Sequence, residues 1–370
     1  MALALEWAAK GMYITAPNPR VGCVIVRDGE VIGAGHTQPA GQAHAEIQAL
    51  RDAATRGNDV RGATAYVTLE PCSHYGRTPP CSKALVEAGL GRVVAAMGDP
   101  NPLVAGRGMA QLEAAGIATA SGLMAIEAHE LNIGFFSRMQ RGRPWVRLKT
   151  AASLDGMTAL DNGESQWITG PEARQDGHRW RARACVILTG IGTVKADDPQ
   201  LTVRGVDMGG HSARQPRRAI VDSRLEIDPN ARILQGEPCW IVAAVPDADK
   251  EAALRAAGHE VILLANEAGK VDKVDLRALM LELGRREINE VHVEAGAKLN
   301  ASLVREGCVD ELLVYLAPSL IGAGQGMFAL PPLNRLSDKI ALRFHDVAPV
   351  GADLRILARL NTIATEQEPT

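Results

Sequence analysis

GQAHAEIQAL (residues 41–50) and LEPCSHYGRTPPC (residues 69–81) lie one strand apart, and the way they follow each other decides both fold and chemistry. In a helix body His44 and Glu46, two residues apart, point to roughly opposite sides. They can converge only where the chain is still entering the helix, so the sequence predicts a helix that starts at AHAE. Cys72 follows Pro71 at the end of a strand, and Cys81 follows Pro80 at the start of a helix, CSKALVEAGL. Both cysteines are expected at helix N-termini, where unpaired N–H groups favour thiolate.

The surroundings alternate. VGCVIVRDGEVIGAG reads as a β-hairpin turning at Asp28-Gly29. AHAEIQALRDAATRG is a helix ended by Gly57, ATAYVTLE a strand, and CSKALVEAGL a helix with Gly89 past its end. GRVVAAMGDP is a strand, followed by the helix GMAQLEAAG and a short strand. IEAHELNIGFFSRMQRGRP reads as a joining segment, with a boundary at Arg141–Pro144. A second alternation begins with the strand WVRLKTAA. TGPEARQDGHRWRARA is a helix with an expected capping box, Thr169 at the N-cap and Glu172 three residues on. CVILTG, RRAIVDS, PCWIVAAV, EVILLA and EVHVEAG are strands with helices between most of them. From VDELLVYLAP to DLRILARL, strands follow without long helices. Both halves are α/β, the second closing with antiparallel strands; at 370 residues two domains are expected.

Composition removes several classes of function. The net charge is −3, and splitting near residue 145 leaves 13 Lys+Arg against 12 Asp+Glu, then 27 against 31. Neither half is a basic domain, which argues against nucleic-acid binding. There is no apolar run long enough to span a membrane. MALALEWAAKG reads as an amphipathic helix rather than a signal peptide, so a cytoplasmic protein is expected. Six cysteines are then no disulfide framework. Cys23, Cys185, Cys239 and Cys308 lie in or beside apolar strands and read as packing residues. Cys72 and Cys81 remain to be explained.

One histidine and two thiolates give three zinc ligands and leave a fourth position for water, the pattern of a catalytic site. Zinc lowers the pKa of bound water to about 7, and Glu46 is placed to shuttle the proton. Nucleobase deaminases combine these parts. A lone H-x-E is common by chance and most cytosolic cysteines are merely buried; it is the combination that favours one zinc ion per chain. His74 is a rival ligand, although its loop position suits a substrate contact better. A closed structural zinc site would need it as the fourth ligand.

The second half has no dinucleotide fingerprint. Gly190 and Gly192 follow a strand in LTGIGTVKADDP without a third glycine, and LIGAGQGMF has the wrong spacing, which excludes a Rossmann domain. Polar residues instead collect at expected strand ends: Lys149, Ser165, Arg181, Thr193, Asp197, Arg204 and Glu294. Arg174 and Arg179 read as a solvated helix face. For Arg181 and Arg204 the pattern does not separate phosphate binding from surface charge.

TAPNPRVGCVIV, HAE and LEPCSHYGRTPPC together resemble the deaminase domain of the bifunctional riboflavin-biosynthesis deaminase/reductases. The usual deaminase signature places two residues between its cysteines, whereas this chain has the longer Gly/Pro-rich loop of that family. RLKTAASLDGMTA, GESQWITG, GTVKADDPQLTVR and VHVEAG are similar, in order, to its reductase domain. The resemblance implies a cytidine-deaminase-like three-layer domain at 1–143 and a dihydrofolate-reductase-like α/β domain at 144–363. It implies deamination of 2,5-diamino-6-(5-phosphoribosylamino)pyrimidin-4-one on zinc, then NADPH reduction of the ribosyl group to ribityl. His44, Cys72 and Cys81 would hold zinc, Glu46 would move protons, and Asn18 with the Cys72–Cys81 loop would hold the pyrimidine. Ala151, Trp167, Thr193, Asp197, Ser223 and Gly296 would contact NADPH, the turn from Gly296 toward Ser302 cradling its phosphates. Ser165, Arg181, Leu201, Arg204 and Glu294 would hold the substrate, the arginines on its ribose phosphate. One departure stands out: many members carry Gly-Gly after that glutamate, and this chain has Ala295-Gly296. A small-molecule enzyme, homo-oligomeric and free of nucleic acid and membrane, is expected. The alternatives are an RNA-editing deaminase, a deaminase with a degenerate second domain, and a structural-zinc scaffold that senses nucleotides.

Overall fold

The structure, a computed structural model, describes residues 1–370 except 76–78, 103, 209–213, 267–269 and 361–370. The expected domain end at 363 and the middle of the Cys72–Cys81 loop therefore lie outside the described residues. Two compact units are present. Met1–Arg143 makes up most of the first, joined by Glu287–Asn289 and the segment around Asp207 and Arg214.

The first unit runs α1 (Ala2–Lys10), β1 (Gly22–Arg27), β2 (Glu30–His36), α2 (Ala45–Thr55), β3 (Thr64–Val67), α3 (Cys81–Glu87), β4 (Arg92–Ala95), α4 (Arg107–Ala114), β5 (Ala118–Ser121), α5 (Ala125–Leu131) and α6 (Ile133–Arg141). Its sheet has the order β2-β1-β3-β4-β5. The hairpin turns at Asp28 and Gly29, both at positive φ, as a twisted two-residue turn requires. Alternation along β1 splits the core. Cys23 and Ile25 pack with Ala45 and Ala49 of α2, Leu85 of α3 and Leu112 of α4, while Val24 packs with Ala4 of α1 and Ala34. The result is three layers. Glycine makes the α2 contact possible: a Cβ on Gly33 would lie 2.4 Å from the Ala49 carbonyl oxygen. The expected joining segment is instead two helices, and α6 buries Phe135 and Phe136 in the same core.

The second unit runs β6 (Trp145–Ser153), β7 (Met157–Leu160), α7 (Pro171–Arg183), β8 (Val186–Gly190), α8 (Ile191–Asp197), β9 (Arg217–Val221), β10 (Trp240–Ala243), α9 (Ala248–Ala256), β11 (Glu260–Leu263), β12 (Ala265–Asn266), β13 (Lys270–Val274), α10 (Leu276–Arg285), β14 (Glu290–Val293), α11 (Ala297–Arg305), β15 (Glu311–Ala317), β16 (Gly324–Gly326), β17 (Leu342–Val350) and β18 (Asp353–Leu360). Its main sheet has the order β11-β10-β9-β8-β14-β6-β15-β18-β17. The seven strands from β11 to β15 are parallel, and β18 and β17 close the sheet antiparallel. No helix among the described residues is long and apolar enough to cross a membrane.

The expected capping box of α7 does not form. Pro171 occupies the first helical position, which suits a residue without an N–H, and this makes Gly170 the N-cap. The Gly170 N–H goes to Asp353 Oδ2 at 2.7 Å, and Thr169 offers only its carbonyl, to Arg174.

Candidate active sites

The first site is built where α2 and α3 begin. His44 is the N-cap of α2 with extended backbone (φ −73°, ψ 168°), and Glu46 stands in the first helical turn, 4% exposed. That half-entered geometry lets two residues so close in sequence face one place. Cys81 is the first residue of α3. Cys72 has no helix of its own, contrary to expectation; its sulfur instead accepts the backbone N–H of Cys81 at 3.3 Å, sharing the N-terminus of α3. His44 Nδ1 lies 3.6 Å from Cys72 Sγ and 3.4 Å from Cys81 Sγ. Bonds of about 2.0 Å to nitrogen and 2.3 Å to sulfur at a tetrahedral angle set such atoms about 3.5 Å apart, so the donors fit zinc.

Electrostatics suit the same use. Hydrogen bonds from the Cys81 thiol and from His44 pull Cys72 down to about 4 against the effect of burial, leaving it the thiolate of the pair, and Cys81 is pushed up in exchange. Burial, reinforced by the Cys72 charge, lifts Glu46 to about 7, where a carboxyl can both take and give a proton. His74 is not part of the ligand cluster, although its Nδ1 is buried without a hydrogen-bond partner among the described residues. Asn18 lies in the turn between α1 and β1, its N–H bonded to the Thr15 carbonyl.

Sequence reasoning missed Glu70. Its carboxylate, 3% exposed, accepts four backbone N–H groups, from Asp99, Gly106, Gly108 and Met109, at 2.8–3.3 Å. It thereby ties the strand end before Cys72 to the start of α4. Gly108 is required there, since a Cβ would sit 2.0 Å from the Pro71 carbonyl oxygen. Ser82 completes the brace by donating its N–H to the Cys72 carbonyl, while its hydroxyl, 3.1 Å from that same oxygen, donates at 2.6 Å to Gln111 Oε1 of α4. The only sequence signal was a glutamate two residues before the cysteine.

The second site grows from strand register. Parallel pairing sets His292 beside Arg147 and Arg147 beside Glu311, with Lys149 and Glu294 in the next row on the same face. Helix α7, rich in arginine, lies against this acidic face. Arg181 pairs through Nε and Nη2 with both oxygens of Glu294 and donates Nη1 to the Thr202 carbonyl. Arg147 bridges Glu290 and Glu311, and Arg183 also reaches Glu290. Burial alone would raise Glu294, but Arg181, His292 and Lys149 hold it well below the usual carboxylate range. Lys149 is pushed down by burial. Of the seven residues expected at strand ends only Glu294 is at one, just past β14; Lys149 is in mid-strand, Arg181 in the last turn of α7, Thr193 and Asp197 in α8, and Ser165 and Arg204 on loops.

Around this pair, Thr193 Oγ1 accepts the Gly296 N–H at 3.0 Å. Gly296 is the N-cap of α11 and offers no side chain, so the first N–H groups of that helix stay open to an anion. Leu201, buried at positive φ, and Arg204, exposed, lie on the loop after α8, where the Arg204 N–H meets His178 Nδ1. Ala151 is on β6 and Asp197 ends α8. Ser223 follows β9, its carbonyl accepting from Ala244 and Val245. Ser165 and Trp167 are on the loop before α7. Arg174 stacks over Trp167 at 4.6 Å and so is no plain solvated charge, whereas Arg179 is 61% exposed as expected.

Comparison with known proteins agrees with both halves. The family described as the cytidine and deoxycytidylate deaminase zinc-binding region matches residues 1–97, and the RibD C-terminal domain matches residues 144–356. The riboflavin biosynthesis protein RibD of Escherichia coli is 47% identical over 96% of each chain, and that of Haemophilus influenzae 44% identical over 96% of this chain and 95% of its own. Among solved structures, Acinetobacter baumannii RibD superposes with a TM-score of 0.88 at 41% identity over 98% of both chains. A Thermotoga maritima diaminohydroxyphosphoribosylaminopyrimidine deaminase/5-amino-6-(5-phosphoribosylamino)uracil reductase gives 0.85 at 30% identity over 97% of both.

Proposed function

The chain belongs to the RibD family, and from that premise we propose that it carries out two successive steps of riboflavin synthesis on one pyrimidine ribosyl phosphate. The deaminase is assigned to residues 1–143 and the reductase to 144–363. The observation that carries the reading is the cluster of His44, Cys72 and Cys81 with buried Glu46 beside it.

In the first step His44, Cys72 and Cys81 hold zinc. Zinc, when bound, makes hydroxide available at neutral pH. Glu46 takes up the proton of the attacking water and returns it to the leaving amine. A C–O bond forms at the amino-bearing ring carbon as its C–N bond breaks, and ammonia departs. Among the described residues the cluster offers three ligands and His74 stays outside it, which supports catalysis over a scaffold role. Glu70 and Ser82 keep Cys72 in place, and Asn18 with the Cys72–Cys81 loop takes the pyrimidine.

In the second step NADPH, when bound, supplies hydride to C1′ of the ring-opened ribosyl imine. Ala151, Trp167, Thr193, Asp197 and Ser223 line the cofactor, and the uncapped start of α11 at Gly296 takes its phosphates. Arg181, expected on the ribose phosphate but paired with Glu294, holds that carboxylate fixed and charged toward the ribosyl hydroxyls, Ser165 and Leu201 lie along the substrate, and exposed Arg204 meets its phosphate. The chain works in a reducing compartment, the cytoplasm, in keeping with its free cysteines. It acts as a homo-oligomer.

The test is to mix the protein with the diaminopyrimidinone ribosyl phosphate, with and without NADPH, and follow products by mass spectrometry. Deaminated product without NADPH, and deaminated, reduced product with it, support both assignments and their order. No ammonia release from zinc-loaded protein would overturn the first assignment, and an unreduced product in the presence of NADPH the second.

A further inference from the structure

The loop that carries Arg204 belongs to no helix or strand, yet its backbone is fastened residue by residue. It runs between two left-handed positions, buried Leu201 (φ 51°) and Gly205 (φ 64°). Between them Arg181 Nη1 donates to the Thr202 carbonyl at 3.1 Å. The Val203 N–H goes to Gln215 Oε1 at 2.8 Å, and Gln215 Nε2 returns a bond to the Val203 carbonyl at 3.2 Å. The Arg204 N–H goes to His178 Nδ1 at 3.2 Å, and Gln175 Nε2 donates to the Gly205 carbonyl at 2.5 Å. Side chains here supply the partners that a neighbouring strand would supply in a sheet. Val203 is buried and Arg204 exposed, so the tied backbone offers one guanidinium to solvent.

Gln175, His178 and Arg181 follow one another at three-residue spacing along one side of α7. Arg181 is committed to Glu294 as well. The bond at His178 needs a neutral ring, because an imidazolium has two N–H donors and no acceptor. Its surroundings keep it so: burial pushes His178 down, and the charges of Arg181 and Arg204 add to this against Glu294 and the Thr202 carbonyl. An arginine on a loose loop gives up backbone and rotamer freedom when it grips a phosphate, and one on a fixed backbone gives up less. We propose that His178 and Gln175 are positioning residues for the substrate phosphate: by holding the backbone at Arg204 and Gly205 they set the guanidinium in place and give the reductase its preference for a phosphorylated ribosyl chain. The inference rests on the reading that Arg204 meets that phosphate, and deepens it. Both residues act through Arg204 and not on the hydride, so their loss is felt in KM and not in kcat.

The experiment compares NADPH-dependent reduction of the pre-deaminated ribosyl phosphate with that of its dephosphorylated counterpart, using the full chain. In His178→Ala, KM for the phosphorylated substrate should rise about five- to tenfold, the loss of one ordinary hydrogen bond, with kcat little changed. For the dephosphorylated substrate kcat/KM should match wild type. His178→Asn, whose amide oxygen can accept the Arg204 N–H in place of Nδ1, should restore most of the lost affinity. Equal losses on both substrates, or an Asn variant as poor as Ala, would make His178 a merely structural residue and overturn the proposal. Arg204→Ala separates the proposal from the reading beneath it. If that variant leaves the ratio between the two substrates unchanged, Arg204 does not meet the phosphate and both fall. If it abolishes the ratio while His178→Ala leaves it intact, the positioning role alone falls. Should His178→Ala fail to fold, Gln175→Ala decides from a partly exposed position: an unchanged ratio there overturns the proposal.

Discussion

Two buried glutamates, one in each unit, have been given opposite properties. Glu46 is 4% exposed and no arginine or lysine among the described residues shifts it, so burial and the neighbouring Cys72 sulfur raise it to about 7. Glu294 is 13% exposed by side chain, but Arg181 grips both its oxygens and Lys149 lies in the same row, so it stays well below the ordinary range. A carboxylate poised near neutrality can carry protons, whereas one locked to a guanidinium is a fixed charge. The difference is made by the elements that meet it. Glu46 enters α2 beside Cys72 and the Cys81 that begins α3, and Glu294 leaves a strand under a helix rich in arginine.

The sharpest way to break the contrast is Glu46→Gln. If Glu46 carries protons, deaminase kcat falls about 10²–10⁴-fold, one zinc per chain is retained by elemental analysis, and reduction of pre-deaminated substrate is unchanged. Lost zinc would make Glu46 a ligand. Glu294→Gln should act differently. Removing one partner of a largely buried pair leaves Arg181 under-compensated, at a cost of about 2–3 kcal/mol. Calorimetry should show the reductase transition lowered with the deaminase transition in place, together with a raised KM for the ribosyl substrate. An unchanged transition would reduce the pair to surface charge.

A third variant asks whether the first site depends on its brace. Glu70→Gln turns one acceptor oxygen into a donor facing backbone N–H groups. Supports of this kind are typically worth 10–100-fold in metal affinity. Zinc should pass to a chromogenic chelator at least tenfold faster than from wild type, with NADPH-dependent reduction unaffected. Equal release rates would confine Glu70 to general stability.

The two sites were not equally legible in the sequence. His44, Glu46, Cys72 and Cys81 could be placed together because each marks an element end, and the hairpin and alternating strands fixed the layers around them. Glu70 was silent, because its partners are backbone N–H groups contributed by a loop some thirty to forty residues on, and no residue type announces those. In the second unit the strands were read but their order was not. Arg181 and Glu294 are 113 residues apart, and only the pairing of β14 with β6 and the seating of α7 bring them together. The capping box at Thr169 failed for a local reason, since Pro171 moved the helix start by one residue.

The smallest effect should come from pH, and it bears directly on the contrast. Glu294 has its folded pKa lowered, so its pairing contributes stability fully above the unfolded value of about 4.3. That contribution is lost as pH falls through the folded value, because the unfolded chain then binds the proton first. Between pH 8 and about 5 the gap in reductase melting temperature between wild type and Glu294→Gln should therefore be constant, narrowing only below about pH 4. Deeper acid is needed to close it. If the gap shrank between pH 7 and 5, Glu294 would titrate near neutrality despite Arg181. The two buried glutamates would then differ in partner but not in chemistry, and the fixed-charge role assigned to the second would have to be given up.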